Sequence, residues 1–375
     1  MAAAPRLHGP LFVATTCFGV LSWICSAAVV LALKRDLGLS AASTLEIALF
    51  TCWLTSVGAA PSLCAVLLED DRVMGESRCD RVARRLPPAL AESPPLVALY
   101  VGYMAFQASA LLFASATVVC MDSYAAMMLA TALFVALTLG EVDADRRRAF
   151  GLLWIAASLA LVGGAEEIAT DDDDDDDGLF GSRAADAALG VGCAACAGVC
   201  YAGTNVLYER LLSDGDHSAL ALNGATTAVA AVLLTALVYP ALWLAGVYGT
   251  PWHYAANLRE AGPVLVSLFV GSKLIWYGLE AILVGASGAV AAALSGVALI
   301  PLVWLVELGA YYGWGAIYGV AWSDPGSYLQ LAALAALGVG VGIHGGGGGG
   351  AGGGAADAAA DEAPLVAKGT RDRPR

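Results

Sequence analysis

The sequence predicts an all-α membrane protein with ten transmembrane helices arranged as two inverted five-helix repeats. Three observations point there: the places where charge is missing, the alternation of the bases, and a match between the two halves. Only 14% of the 375 residues are charged and 59% are hydrophobic, which is too little charge to cover a soluble domain of this length. The charges cluster between apolar runs of roughly 17–25 residues, the length of helix that crosses a ~30 Å hydrocarbon core. In the first repeat, residues 1–165, the spans fall at 11–33, 43–68, 95–117, 120–140 and 149–165. In the second, residues 186–343, they fall at 186–208, 218–246, 262–283, 285–308 and 327–343. No charged loop divides the third span from the fourth, or the eighth from the ninth. Residues 166–185 read as an acidic disordered linker, and 344–375 as a flexible Gly/Ala-rich cytoplasmic tail.

The bases give the orientation, because cytoplasmic loops carry the excess of Lys and Arg. With a cytoplasmic N-terminus and ten spans, fourteen of nineteen fall inside: Arg6, the loop from Arg72 to Arg85, Arg146 to Arg148, Arg210 and the tail. Four fall outside (Lys34, Arg35, Arg183, Arg259), and Lys273 lies within a span. Both termini are therefore expected in the cytoplasm, with an endomembrane of Golgi or ER type or the plasma membrane as the host. Only about ten residues precede the first span, too few for a cleavable transit peptide.

The net charge of −14 is largely local. Glu166, Glu167, Asp171 to Asp177 and Asp186 stand against Arg183 alone, and no basic patch suggests a nucleic-acid partner. The acidic run could gather divalent cations, but no glycine-punctuated loop fixes a coordination geometry, and a solvated linker is the plainer reading. The nine cysteines are scattered and form no disulfide framework. Cys193, Cys196 and Cys200 share a helix with Gly190, Gly192 and Gly203, where small residues let helices approach.

An odd number of spans in each half inverts the second relative to the first, a common transporter construction. Ala125, Ala126, Ala132, Leu133, Leu139 and Glu141 match Ala291, Ala292, Ala298, Leu299, Leu305 and Glu307 at constant spacing. The runs Ala114-Ser115-Ala116-Thr117 to Thr138-Leu139-Gly140-Glu141, Arg146 to Gly151, and Leu161-Val162-Gly163-Gly164 resemble the drug/metabolite transporter superfamily. Met121-Asp122-Ser123-Tyr124 is similar to an element of some members of solute carrier family 35. The resemblance implies ten helices, two inverted five-helix repeats, cytoplasmic termini and transport of small solutes. Pro301 holds, in the ninth helix, the place of a proline that the fourth lacks, and the Gly-Ala-Leu-Asn-Lys run of nucleotide-sugar carriers is absent.

Lys273 is the sharpest chemical signal. It falls at the middle of the eighth span, about 15 Å from either interface, beyond the reach of a snorkelling side chain. A charge there costs about 2.5–3.5 kcal/mol on insertion scales, so it faces a wet cavity or a partner. Tyr277 and Glu280 follow at i+4 and i+7 on the same face. The lysine either meets an anionic group of a substrate or is neutralised by Glu280 or another intramembrane acid and holds helices together. Gln107, with Tyr100 and Tyr103 on its face, either binds substrate or bonds a neighbouring helix. Tyr201, Asn205 and Tyr208 recur along the sixth span, and Asn223 with Thr227 along the seventh; Asn205 and Asn223 join the candidates, while Tyr208 reads as an anchor. Asp122, Glu46 and Glu307 lie near span ends and read as solvated acids.

These readings converge on a secondary transporter, not an enzyme, moving a small organic solute with an anionic moiety by alternating access. Its substrate would contact Lys273, Tyr277, Glu280, Gln107, Asn205 and Asn223, with no catalytic residue, metal or cofactor. A phosphorylated metabolite or a nucleotide conjugate suits such a site. Partners are that small molecule and the bilayer, with a homodimer compatible and no nucleic acid. The alternatives are a divalent-cation carrier of magnesium type and a multi-span membrane enzyme. The carrier needs carboxylates at mid-membrane, where Glu280 is the clear one. The enzyme needs a base or zinc site, yet His8, His217, His253 and His344 lie in loops or at span ends.

Overall fold

The computed structural model describes residues 9–37, 41–68, 78–138, 150–158, 161, 183–213, 217–246, 259, 262–314, 322 and 326–345. Apolar residues of high helix propensity dominate these stretches, and in a bilayer only a helix satisfies the backbone of each segment from within. The helices are α1 (Gly9–Leu37), α2 (Ala41–Ala59, continuing as a 3₁₀ turn over Ala60–Leu68), α3 (Arg78–Phe113) and α4 (Ala116–Thr138). Residues 150–158 are helical (α5). Then follow α6 (Arg183–Ser213), α7 (Ala219–Leu244), α8 (Pro263–Ser287), α9 (Ala289–Trp314) and α10 (Gly326–Gly345). Among the described residues, nine helices are long and apolar enough to cross a membrane, all but α5. The chain is an all-helical integral membrane protein.

Most boundaries lie within a few residues of the expected spans; the departures have physical causes. The third span begins well before residue 95, because α3 runs through Pro87, Pro88, Pro94 and Pro95. Three of these four rings are exposed and the other half-buried, so the clash with the preceding turn that makes proline a helix breaker is relieved outward. The fourth span starts at Ala116, not 120. The expected linker gives up residues 183–185 to α6; 166–182, with the acidic run, lie outside the described residues. So do Glu141, Arg146 to Arg148 and the tail beyond 345. The seventh span widens into a π turn over Leu234–Val238 just before Pro240, whose missing N–H leaves the turn behind it without its usual partner.

Helix packing follows a pattern. The first helix lies against α8 and α9, and α6 lies against α3 and α4. Both α2 and α7 touch α3 and α8; α2 meets α7, and α4 meets α9. Two glycines allow the closest approaches: a Cβ at Gly198 would stand 2.1 Å from Ser123 O, and one at Gly296 would stand 2.1 Å from the Tyr124 ring. Those two positions bring α6 and α9 close against α4. The largest core cluster draws on all ten helices, and the candidate site lies inside it.

The two charge-free boundaries left open by the sequence are short breaks held by charged groups from elsewhere. At 114–115, between α3 and α4, Lys34 Nζ of α1 donates to Leu112 O at 2.7 Å. The Glu307 carboxylate of α9 accepts from Ala116 N at 3.2 Å, from Thr117 N at 2.9 Å and from the Thr117 hydroxyl. A cation thus meets the carbonyl end of α3 and an anion the amide end of α4, matching both helix dipoles. Between α8 and α9 stands Gly288, with φ +85, and Glu209 of α6 accepts from Ala289 N at 2.8 Å. The pairing of Ala125 with Ala291 sets a residue well inside α4 opposite one in the first turn of α9, so the helix starts do not share that register.

Candidate functional site

The site is built on one face of α8. Gly262, with φ +83, leads into this helix, Pro263 occupies its first turn, and Gly288 ends it. Between them Phe269, Lys273, Trp276, Tyr277, Glu280 and Val284 recur every three to four residues and are all buried. This face packs against α1, α2 and α6.

Lys273 is 1% exposed. Its ammonium lies 5.1 Å from the Trp276 ring centroid and 5.6 Å from those of Phe269 and Tyr277, within cation–π range. Among the described residues Nζ has neither a hydrogen bond nor an ion pair. Ring faces offset part of the lost hydration but supply no acceptor, so three N–H groups are left to be satisfied.

Two turns along, Glu280 is provided for. Its carboxylate accepts from the Tyr201 hydroxyl and from Asn205 Nδ2 at 3.2 Å, both on α6. Those donors sit one helical turn apart and converge on one acid. For the alternative in which Glu280 neutralises Lys273, no direct ion pair is formed among the described residues: the acid is bonded by neutral donors, and the two charges face each other at longer range.

Aromatic side chains wall the space between. Tyr103 of α3 stacks on Tyr201 with centroids 4.3 Å apart and 9° between planes. Tyr201 contacts Trp276 at 6.1 Å and Tyr124 at 6.4 Å, and Tyr124 accepts a hydrogen bond from Trp23 Nε1 at 2.9 Å. Tyr277 meets Tyr100 edge-on at 5.7 Å, and its hydroxyl reaches Met104 Sδ at 3.4 Å. Gln107 Nε2 is buried with no hydrogen-bond partner among the described residues, while the Tyr100 hydroxyl lies toward Ser56 and that of Tyr103 toward Tyr277. The unpartnered ammonium on α8 thus shares one aromatic enclosure with the Tyr201–Asn205–Glu280 cluster.

Of the expected contacts, Lys273, Tyr277, Glu280 and Asn205 come together, and Gln107 lies one turn beyond Tyr103 on α3. Asn223 does not join them: its Nδ2 donates to Ser62 Oγ at 3.2 Å and ties α7 to the 3₁₀ turn. Two acids depart from the solvated reading. Asp122 is fully buried, because α4 starts earlier than expected and sets it deeper in the helix. Glu307 is engaged at the start of α4. Cys200 packs beside Gly102, and no group of three metal-ligating side chains meets among the described residues. Trp23, Tyr124 and Trp276 were not among the expected site residues. Their signal was available: an indole or phenol away from span ends must bury its polar atom, which asks for a partner.

No protein-family model and no curated protein matches the chain. Solved structures do match in fold. One, described only as "Crystal structure of protein", superposes over 88% of this chain and 96% of its own with a TM-score of 0.51. Its sequence is 18% identical, so the likeness bears on fold alone.

Proposed function

We propose that the chain is a secondary transporter for a small organic anion, built as ten spans in two inverted five-helix repeats like those of the drug/metabolite transporter superfamily. The observation that carries the reading is Lys273: a buried cation on the central helix face with aromatic walls and no acceptor among the described residues. An interior ammonium without a partner is a strong reason to look for an anion that visits it. Tyr277 and the unpartnered amide of Gln107 would orient that anion, and a phosphate or carboxylate offers enough acceptor oxygens for both as well as for the ammonium.

The helix packing supports the repeat. Advancing each helix number by five turns the α1–α8 contact into α6–α3, α1–α9 into α6–α4, and α2–α8 into α7–α3, and every one of these pairs is present. The α2–α7 and α4–α9 contacts map onto themselves. A two-fold relation between halves gives that exchange, and five spans per half would make it an inversion. Tags on both termini should then be reached from one side of the membrane only, the cytosolic one.

A thermal-shift screen of the detergent-purified protein against sugar phosphates, nucleotide conjugates, dicarboxylates and magnesium tests the substrate class. Stabilisation by one group of anions, abolished in Lys273→Met, is the expected result. Stabilisation by magnesium alone would favour the cation carrier. Anion stabilisation that survives Lys273→Met would end the role given to the lysine.

A further inference from the structure

The site holds a second ionisable group whose placement fixes how an anion would enter. Glu280 is buried, bound by one hydroxyl and one amide, and has no cation at ion-pairing distance among the described residues. Lys273, two turns away on the same helix face, is the cation nearest to it along α8. In the empty site an ammonium and a carboxylate balance each other across the enclosure. When an anion settles on the ammonium, that balance is lost and the carboxylate becomes an uncompensated charge in a low dielectric, the most costly arrangement available. Uptake of one proton restores neutrality.

We propose that Glu280 is a proton-binding site linked to Lys273, so that a proton binds its carboxylate as an anion binds the lysine and both leave together: anion–proton symport. The proposal rests on the anion-binding reading of Lys273. The balance is simple. One proton adds to a Glu280 oxygen, making a neutral acid that still accepts through its carbonyl oxygen, and the same proton departs when the anion does. Linkage is reciprocal, so the proton must also favour the anion.

The groups that face Glu280 permit this. From α6 they are Tyr201 and Tyr208, from α3 Tyr103, from α4 Tyr124, and from α8 itself Lys273 and Tyr277. All but Lys273 are phenols, neutral at ordinary pH. Cys25 of α1 lies toward Lys273. The seventh helix carries no Asp, Glu, Lys, Arg or His, the one acid of α9 is Glu307 at the α4 start, and that of α2 is Glu46 in its second turn. Asp122 of α4 is the other fully buried acid, and it serves as the control.

The test needs no substrate. Infrared spectra of the full chain in lipid, titrated from mildly acid to mildly alkaline pH, would show the C=O stretch of a protonated carboxylic acid. That band should titrate in wild type, vanish in Glu280→Gln and remain in Asp122→Asn. Lys273→Met removes the same positive charge that an anion would neutralise, so it should move the titration to higher pH by about one unit, a tenfold change. The amide bands of each spectrum report whether a variant has kept its helices. Tyr201→Phe, which keeps the carboxyl, should shift the band's frequency and so assigns it even where Glu280→Gln does not fold. A band absent at every pH, one that survives Glu280→Gln, or one indifferent to Lys273→Met overturns the proposal. Such a failure would leave the anion reading standing, because that reading is tested by Lys273-dependent stabilisation alone.

Discussion

The two ends of the α8 site face differ in how completely they are provided for. At one end Glu280 receives two hydrogen bonds from a neighbouring helix. At the other, Lys273 has three aromatic faces and, among the described residues, no acceptor. Both groups are buried, so burial alone does not distinguish a structural charge from a functional one. The difference lies in the partners. Bonds as complete as those of Glu280 fix the place of the carboxyl and leave it only a proton to exchange, whereas a charge left open is a standing demand for a ligand that comes and goes.

That contrast can be broken most forcefully at Glu280. Replacing it by Ala strands the Tyr201 hydroxyl and the Asn205 amide in the core, and two orphaned donors should together cost about 2–5 kcal/mol. The fall in thermal midpoint of the purified protein measures it. A smaller loss, about 1.5–3 kcal/mol, is expected for Tyr201→Phe, since a hydrogen bond to a charged group disappears while the ring stack with Tyr103 is kept. Asn205→Ala should cost about 1 kcal/mol in the same assay. Lys273→Met is expected to sit at the bottom of the series or to stabilise, because a desolvated ammonium is removed, no hydrogen bond is lost, and Glu280 can restore neutrality by taking up a proton. If Lys273→Met instead destabilises as strongly as Glu280→Ala, and Glu280→Gln in the same chain rescues it, the two are a structural pair and the contrast is false.

The site face of α8 was legible in the sequence because its logic is local. The i, i+4, i+7 spacing of Lys273, Tyr277 and Glu280 needs only the pitch of a helix. Asn205 was legible for the same reason, as part of a stripe with Tyr201. What could not be read locally was which helix each polar group would meet. Asn223 looks no different in sequence from Asn205, yet its helix lies against the 3₁₀ turn and its amide goes to Ser62. The break at 114–115 was hidden because it contains neither glycine nor proline and no charge. Its stabilising groups, Lys34 and Glu307, come from far along the chain. A capping acid is recognisable in sequence only when it precedes its own helix. Here it arrives from another one, so Glu307 read as an ordinary acid near a span end.

The Glu307 contact has a consequence for timing. One carboxylate gathers three donors from the start of α4, and α9 must carry that carboxylate away whole if the two helices separate there. The Thr117 hydroxyl can turn away by side-chain rotation, but the two backbone amides cannot, and they lose their acceptor together when α9 withdraws. That loss is concerted and exposes the amide end of a helix, so it belongs near the top of a barrier and not along a gentle slope. The contact therefore acts on dwell time more than on the preference between states: it makes that end of the α4–α9 contact slow to part, and quick to re-form once the carboxylate is again within reach.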